Sequence, residues 1–151
     1  MTENFYYKSP IGILEINLEN DFIKKLKVIE NNVETSRLVG YFIEIAKQLD
    51  EFFADKRTDF DLRICPEGTD FQKEVWKELR KIPYGKTKSY QEIATAIGKP
   101  NAQRAVGLAC NKNPILLIIP CHRVISKSGK LTGFACGLEI KETLLKLEKA
   151  I

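Results

Sequence analysis

The chain has 151 residues, 44% of them hydrophobic and 29% charged, with 24 Lys and Arg against 20 Asp and Glu and a net charge of +4. This size suits one compact domain or a small subdomain beside a larger one. No apolar run approaches the roughly 20 residues of a membrane-spanning helix. The mild positive charge permits nucleic-acid binding without requiring it, and the composition is that of a folded globular protein.

The N-terminus lacks the basic and apolar regions of an export signal, so the cytoplasm is the expected compartment. Residues 4–30 read as strands. A Pro-Ile-Gly turn at Pro10–Gly12 separates two short runs, as in a hairpin. Leu14, Ile16 and Leu18 alternate with Ile13 and Glu15, and residues 21–30 can supply a further strand. Over residues 36–54, Leu38, Phe42, Ile45, Leu49 and Phe52 recur at helical spacing. The polar stretch around Pro66-Glu67-Gly68 then marks a boundary. It implies an α/β N-terminal subdomain over 1–66 and a mostly helical C-terminal domain over 67–151.

In the second part, Thr69 or Asp70 can cap a helix whose stripe is Phe71, Val75, Leu79 and Ile82. Ser89 can cap a short helix closed by Gly98, and Asn101 can cap the next, over 102–113. Two short helices around a glycine-containing turn form a helix-turn-helix pattern. The second helix carries Ala102, Ala105, Gly107 and Ala109, small residues that admit either a neighbouring helix or a nucleic-acid backbone. Gln103 and Arg104 sit near its start, and Tyr90 opens the helix before it. Ile115–Ile119 reads as a buried strand ended by Pro120, and a final helix runs from Leu138 to Ile151.

No Cys-x-x-Cys pair occurs and there is one histidine, so the four cysteines do not read as a structural zinc site, and a cytosolic chain of this size has little use for disulfides. Cys121 and His122, directly after Pro120, are therefore either packing residues or a nucleophile with its base. On a regular strand they would face opposite ways, so the imidazole would act through a bend or a bridging water. A base also needs an acid to fix its tautomer. On the final helix, at about 100° per residue, Ile140, Leu144, Leu147 and Ile151 define the apolar side and Glu148 falls within it. A carboxylate there is either partnered by His122 or Lys141, or lies exposed on the margin.

The segment from about Phe71 to Glu148 resembles the O6-alkylguanine-DNA alkyltransferases. The resemblance rests on Pro120-Cys121-His122-Arg123-Val124, on Arg104-Ala105-Val106-Gly107, on Asn113-Pro114, and on Gly137-Leu138, Lys141, Leu144-Leu145 and Glu148 in that order and spacing. It implies a ribonuclease-H-like N-terminal subdomain and stoichiometric DNA repair. An alkyl group would pass from O6-alkylguanine in double-stranded DNA to Cys121, with no cofactor or metal and with a monomer acting alone. By resemblance, His122 is the water-mediated base, Glu148 its orienter, and Asn113 the tie between helix-turn-helix and reaction loop. Tyr90 helps rotate the nucleotide and protonates the leaving base. Ser89, Tyr90, Ala102, Gln103, Arg104, Ala105 and Gly107 meet the DNA through its minor groove, with Arg104 in the vacated stack. Pro120, Val124, Leu131, Phe134, Ala135 and Cys136 line the pocket. Relatives commonly carry Tyr at the place of Phe134 and Ser-Gly at Ala135-Cys136, so a narrower pocket that favours methyl over benzyl groups is expected. The residues alone leave three other readings: a cysteine hydrolase using Cys121, His122 and Glu148, a non-catalytic lesion-binding protein, and a transcription regulator built on the helix-turn-helix.

Overall fold

A computed structural model describes residues 2–131 and 137–151. The chain divides into two compact units, Met1–Pro66 and Glu67–Ile151.

In the first unit, β1 (Thr2–Ser9), β2 (Gly12–Glu19) and β3 (Phe22–Ile29) form an antiparallel meander in that order. Ser9 pairs with Gly12 across the Pro10-Ile11 turn, and Gly12 adopts a φ of 119° that suits glycine. Asn20 and Asp21 both have positive φ, as a two-residue hairpin turn requires. The period-two reading holds on β2, where Leu14, Ile16 and Leu18 are buried. On β3 the buried pair is Ile23 and Leu26, three apart. The register slips between Asn17, opposite Lys25, and Leu18, opposite Ile23, so Lys24 is the extra residue of a bulge, which turns both side chains to one face. Beyond it, Ile64 pairs with Ile23 in parallel.

Helix α1 (Phe42–Phe53) buries Phe42, Ile45, Leu49 and Phe52, and Phe42 stacks on Phe5 of β1 with ring centroids 4.6 Å apart. The helix predicted from residue 36 begins six residues later. Gly40, at φ 54°, breaks the helical path, and Leu38 is left 61% exposed despite its spacing.

The second unit holds α2 (Asp70–Leu79), β4 (Lys88–Ser89), α3 (Tyr90–Ala96), α4 (Gln103–Asn111), a 3-10 turn at Cys121–Arg123, β5 (Val124–Ile125) and α5 (Leu138–Leu147). Thr69 and Ser89 cap α2 and α3 through reciprocal capping boxes with Gln72 and Glu92. Gly98, at φ 76°, ends α3 and leads to α4, giving two short helices around a tight turn. Asn101 is not the cap of α4. Ala102 occupies that position with no side-chain bond, because the backbone turn from Ala102 N–H to the Lys99 carbonyl at 2.9 Å already sets the helix start. Trp76 of α2 is buried and donates its indole N–H to the Ala109 carbonyl at 2.8 Å, fastening α2 to the end of α4.

Ile115–Ile119 is buried throughout but is not a strand. The segment coils back on itself, with Ile119 N–H donating to Ile115 and Ile118 N–H to Leu116, and Leu117 takes a φ of 72°. An unbroken apolar run reports burial and carries no period, and here the backbone groups are satisfied within the turn.

Candidate active site

Cys121 lies at the start of the 3-10 turn that follows Pro120, and the residue is 4% exposed. The turn places Cys121, His122 and Arg123 on successive directions of a tight coil, so the strand geometry assumed from the sequence does not apply. Asn113, just past α4, holds the turn from below. Its Nδ2–H group lies 2.7 Å from the Ile119 carbonyl and 3.1 Å from Cys121 Sγ, and its Oδ1 accepts from Ile115 N–H at 2.9 Å. One amide therefore fixes both the backbone and the thiol of the reactive turn.

His122 is wholly buried, and its Nε2 lies 2.7 Å from Glu148 Oε2. Glu148 stands at the C-cap of α5 and is 2% exposed. Arg123 grips the same carboxylate with two bonds, Nε to Oε1 at 2.8 Å and Nη2 to Oε2 at 2.9 Å, and spends Nη1 on the Ile82 carbonyl. Gly85 N–H adds a bond to Oε1 at 3.2 Å. Burial alone would raise the Glu148 pKa, but the hydrogen bonds from His122 and Arg123 outweigh it and hold it at about 2.

With the carboxylate ionised, Nε2 must carry the imidazole proton and donate it to Glu148, which leaves a lone pair on Nδ1. Nδ1 is buried and has no hydrogen-bond partner among the described residues. Burial lowers the His122 pKa, against the raising pull of Glu148 and with smaller lowering contributions from Arg123 and Lys141. The ring is a neutral base at pH 7, with its acceptor nitrogen unspent.

Lys141 of α5 is 1% exposed and donates to the Val124 carbonyl at 2.5 Å. Its ammonium lies 5.8 Å from the centroid of the Tyr90 ring. Burial lowers its pKa, while Cys121 and then Cys110 act in the opposite sense. Tyr90 also faces α4, because a Cβ on Gly107 would stand 3.8 Å from its ring. Cys110 is buried, and burial together with the neighbouring Cys121 pushes its thiol up to about 12, so it stays a thiol.

The structure thus brings Cys121, His122, Glu148 and Asn113 together, with Val124 and Pro120 buried beside them. Leu131 is half-buried, and Phe134, Ala135 and Cys136 lie outside the described residues. Arg104 and Gln103 are exposed on α4, while Ala102, Ala105 and Gly107 are half-buried. Ser89 spends its hydroxyl on the Glu92 N–H as a helix cap. The apolar face drawn on the final helix needs correction. Lys141, Leu144 and Leu145 are buried there, Ile140 and Leu147 only partly, and Ile151 is 56% exposed. The helix ends at Leu147, so Ile151 is not on it. Of the two partners considered for Glu148, Lys141 goes elsewhere. Arg123, given no role from the sequence, supplies the two-bond grip on the carboxylate, and no local signal pointed to it.

Among the described residues, no group of three or more His, Cys, Asp and Glu is placed to hold a metal ion, and no helix is long and apolar enough to cross a membrane.

A buried thiol next in the chain to a buried imidazole with one unspent nitrogen, in a helical unit with a paired short-helix motif, is the set of groups that a cysteine-nucleophile protein requires. Residues 70–150 match the model of the 6-O-methylguanine DNA methyltransferase family, DNA binding domain. A methylated-DNA–protein-cysteine methyltransferase of Methanosarcina barkeri is 55% identical over 94% of this chain and 94% of its own. The crystal structure of Mycobacterium tuberculosis O6-methylguanine methyltransferase superposes with a TM-score of 0.89 at 45% identity, covering 99% of this chain and 93% of that one. A structure of M. tuberculosis OGT in complex with DNA gives a TM-score of 0.87 at 46% identity, over 95% and 91% of the two chains. With its reactive turn, Cys121 included, inside the matched span, the chain belongs to the 6-O-methylguanine DNA methyltransferase family.

Proposed function

We propose that the protein repairs DNA by taking the alkyl group of O6-alkylguanine onto Cys121, once per molecule. The observation that carries this reading is the buried Nδ1 lone pair of His122, held as a base by an ionised Glu148 beside the thiol that Asn113 positions. The Cys121 proton passes to Nδ1 through a bridging water. Sγ then attacks the alkyl carbon, the S–C bond forms as the C–O6 bond breaks, and the electron pair leaves with the guanine. The Tyr90 hydroxyl donates a proton, or a hydrogen bond, to that base as it departs. Both bonds are exchanged between Sγ and O6, so the balance needs no cofactor. The thioether has no good leaving group, which makes the reaction single-turnover.

Residues 67–151 form the DNA-binding and alkyl-transfer unit of this reading. The α3–turn–α4 pair is its helix-turn-helix, with α4 in the minor groove. Its exposed face carries Arg104, which fills the stack left by the extruded nucleotide, beside Gln103. Ala102, Ala105 and Gly107 allow the backbone to approach closely. Ser89 and Tyr90 meet the strand from the start of α3. The small pocket, which includes Pro120, Val124 and Leu131, favours methyl over benzyl groups. The Val124 carbonyl already accepts from Lys141 and keeps a second lone pair for the exocyclic amine of the base. Residues 1–66 are read as ribonuclease-H-like, the acting species as a monomer, and the location as the cytoplasm.

Incubation with methyl-labelled duplex DNA followed by peptide mass mapping tests the reading. One equivalent of label should settle on the peptide containing Cys121. Release of product over many turnovers would mean a hydrolase instead, and binding without transfer a lesion-recognition protein. Cys121→Ser should abolish transfer and keep DNA binding.

A further inference from the structure

Leu108 is the side chain on α4 that the reaction above leaves without a task. It is 67% exposed on a helix whose opposite face buries Val106, Ala109 and Cys110. At about 100° per residue, Leu108 lies about 40° around the axis from Arg104 and one turn further along. Arg104 is itself exposed and makes no hydrogen bond or ion pair among the described residues. Flanking this pair on the helix surface are Ala105, about 100° from Arg104 on one side, and Gly107, about 60° on the other, which carry a methyl group and nothing, while Val106 points to the buried face, so α4 offers no bulk that would hold a bound surface away from Leu108. A lone exposed leucine is ordinary. Its phase with the cation of the same helix is what gives it a direction.

We infer that Leu108 sets the sequence context in which the lesion is repaired, by packing into the minor groove within two base pairs of the extruded nucleotide and favouring A·T over G·C there. This rests on the repair reading above, with Arg104 in the vacated stack. One helical turn advances about 5.4 Å, against about 3.4 Å per base pair, which places Leu108 one to two pairs from Arg104. In the minor groove an A·T pair shows only recessed acceptors, whereas G·C projects the guanine 2-amino group into the groove. A leucine cannot accept from that amine, and covering it strands a donor away from water. Without the amine, the isobutyl group reaches the floor and the apolar sugar walls.

The test uses three duplexes that carry O6-methylguanine and differ only in the two pairs on each side, which are A·T, G·C or inosine·C. Inosine·C keeps the major-groove groups of G·C and lacks the minor-groove amine. The full-length protein should bind and react about three- to tenfold better with the A·T and inosine·C duplexes than with G·C. Leu108→Ala should remove the preference and weaken A·T binding by a similar factor. Its slope of log affinity against log salt should match that of the parent, since no phosphate contact is lost. The two proteins should melt together, because the side chain is exposed. Equal rates on A·T and G·C, inosine·C behaving like G·C, or a variant that keeps the preference would each overturn the inference. Failure of every duplex to leave an adduct would instead refute the repair reading, whereas adducts on all three at one rate refute only the role of Leu108.

Discussion

Glu148 is met by His122, Arg123 and the Gly85 N–H, and this crowding of donors decides the protonation state of the whole site. Arg123→Met should destabilise the protein by about 3–5 kcal/mol in urea denaturation, because a buried carboxylate loses its strongest partner. Arg123→Lys should recover only part of that loss, since an ammonium cannot make the parallel pair of bonds. The pH dependence follows from two lowered pKa values. His122 lies below its ordinary 6.5, so its contribution is complete above pH 6.5 and is lost as the pH falls toward the folded value. Glu148, lowered from 4.5 to about 2, contributes fully above pH 4.5 and loses that contribution between the two values. Stability should therefore decline with acid in two steps. A series of denaturation midpoints on the parent and on His122→Asn should show the upper step flattened in the variant. Cys121 and His122 were legible as a pair, and Glu148 could be placed by helical azimuth. Arg123 was not legible, because an arginine beside a histidine says nothing about which carboxylate the chain will bring back from 25 residues away.

Most elements whose signals are local were read well, the cap assigned to Asn101 being the exception. The caps at Thr69 and Ser89 depend on side chains three residues apart, and the β1–β2 hairpin depends on Pro10 to Gly12. The tight approach at Gly68 was invisible. A Cβ there would stand 2.5 Å from the Trp76 ring, which the Ala109 carbonyl holds in place. Gly68→Ala should cost about 1–3 kcal/mol, since a pinned indole cannot give way without straining the α2–α4 junction. A thermal melt that left the midpoint unchanged would contradict this. The run Ile115–Ile119 failed as a strand for a related reason. Its composition announces burial, while the coil it adopts is imposed by Asn113 on one side and Pro120 on the other.

At the scale of the molecule, reaction and stability are coupled through the placement of the thiol. Cys121 is 4% exposed and sits among Ile119, Pro120, His122 and Val124, all buried. A methyl group added there must enlarge its site, and overpacking of a dense interior costs about 1–3 kcal/mol. The alkylated protein should melt below the free protein by the corresponding few degrees, measured on matched samples before and after one equivalent of methylated DNA. An alkylated form as stable as the free one would mean that the thiol points into space already open.

What the sequence determined by itself was the inventory and its local geometry. It placed one histidine beside one cysteine, capped helices, an alternating hairpin, and a carboxylate out of place on a helix. These are short-range matters of period, turn chemistry and neighbour spacing. Only the tertiary structure decided that Arg123 and His122 share one carboxylate, that Lys141 serves the Val124 carbonyl, and that Nδ1 is the nitrogen left unspent. Each of those depends on which groups are brought together across long stretches of chain and then sealed from water. Burial of that kind turns an ordinary imidazole into a base with a single available lone pair.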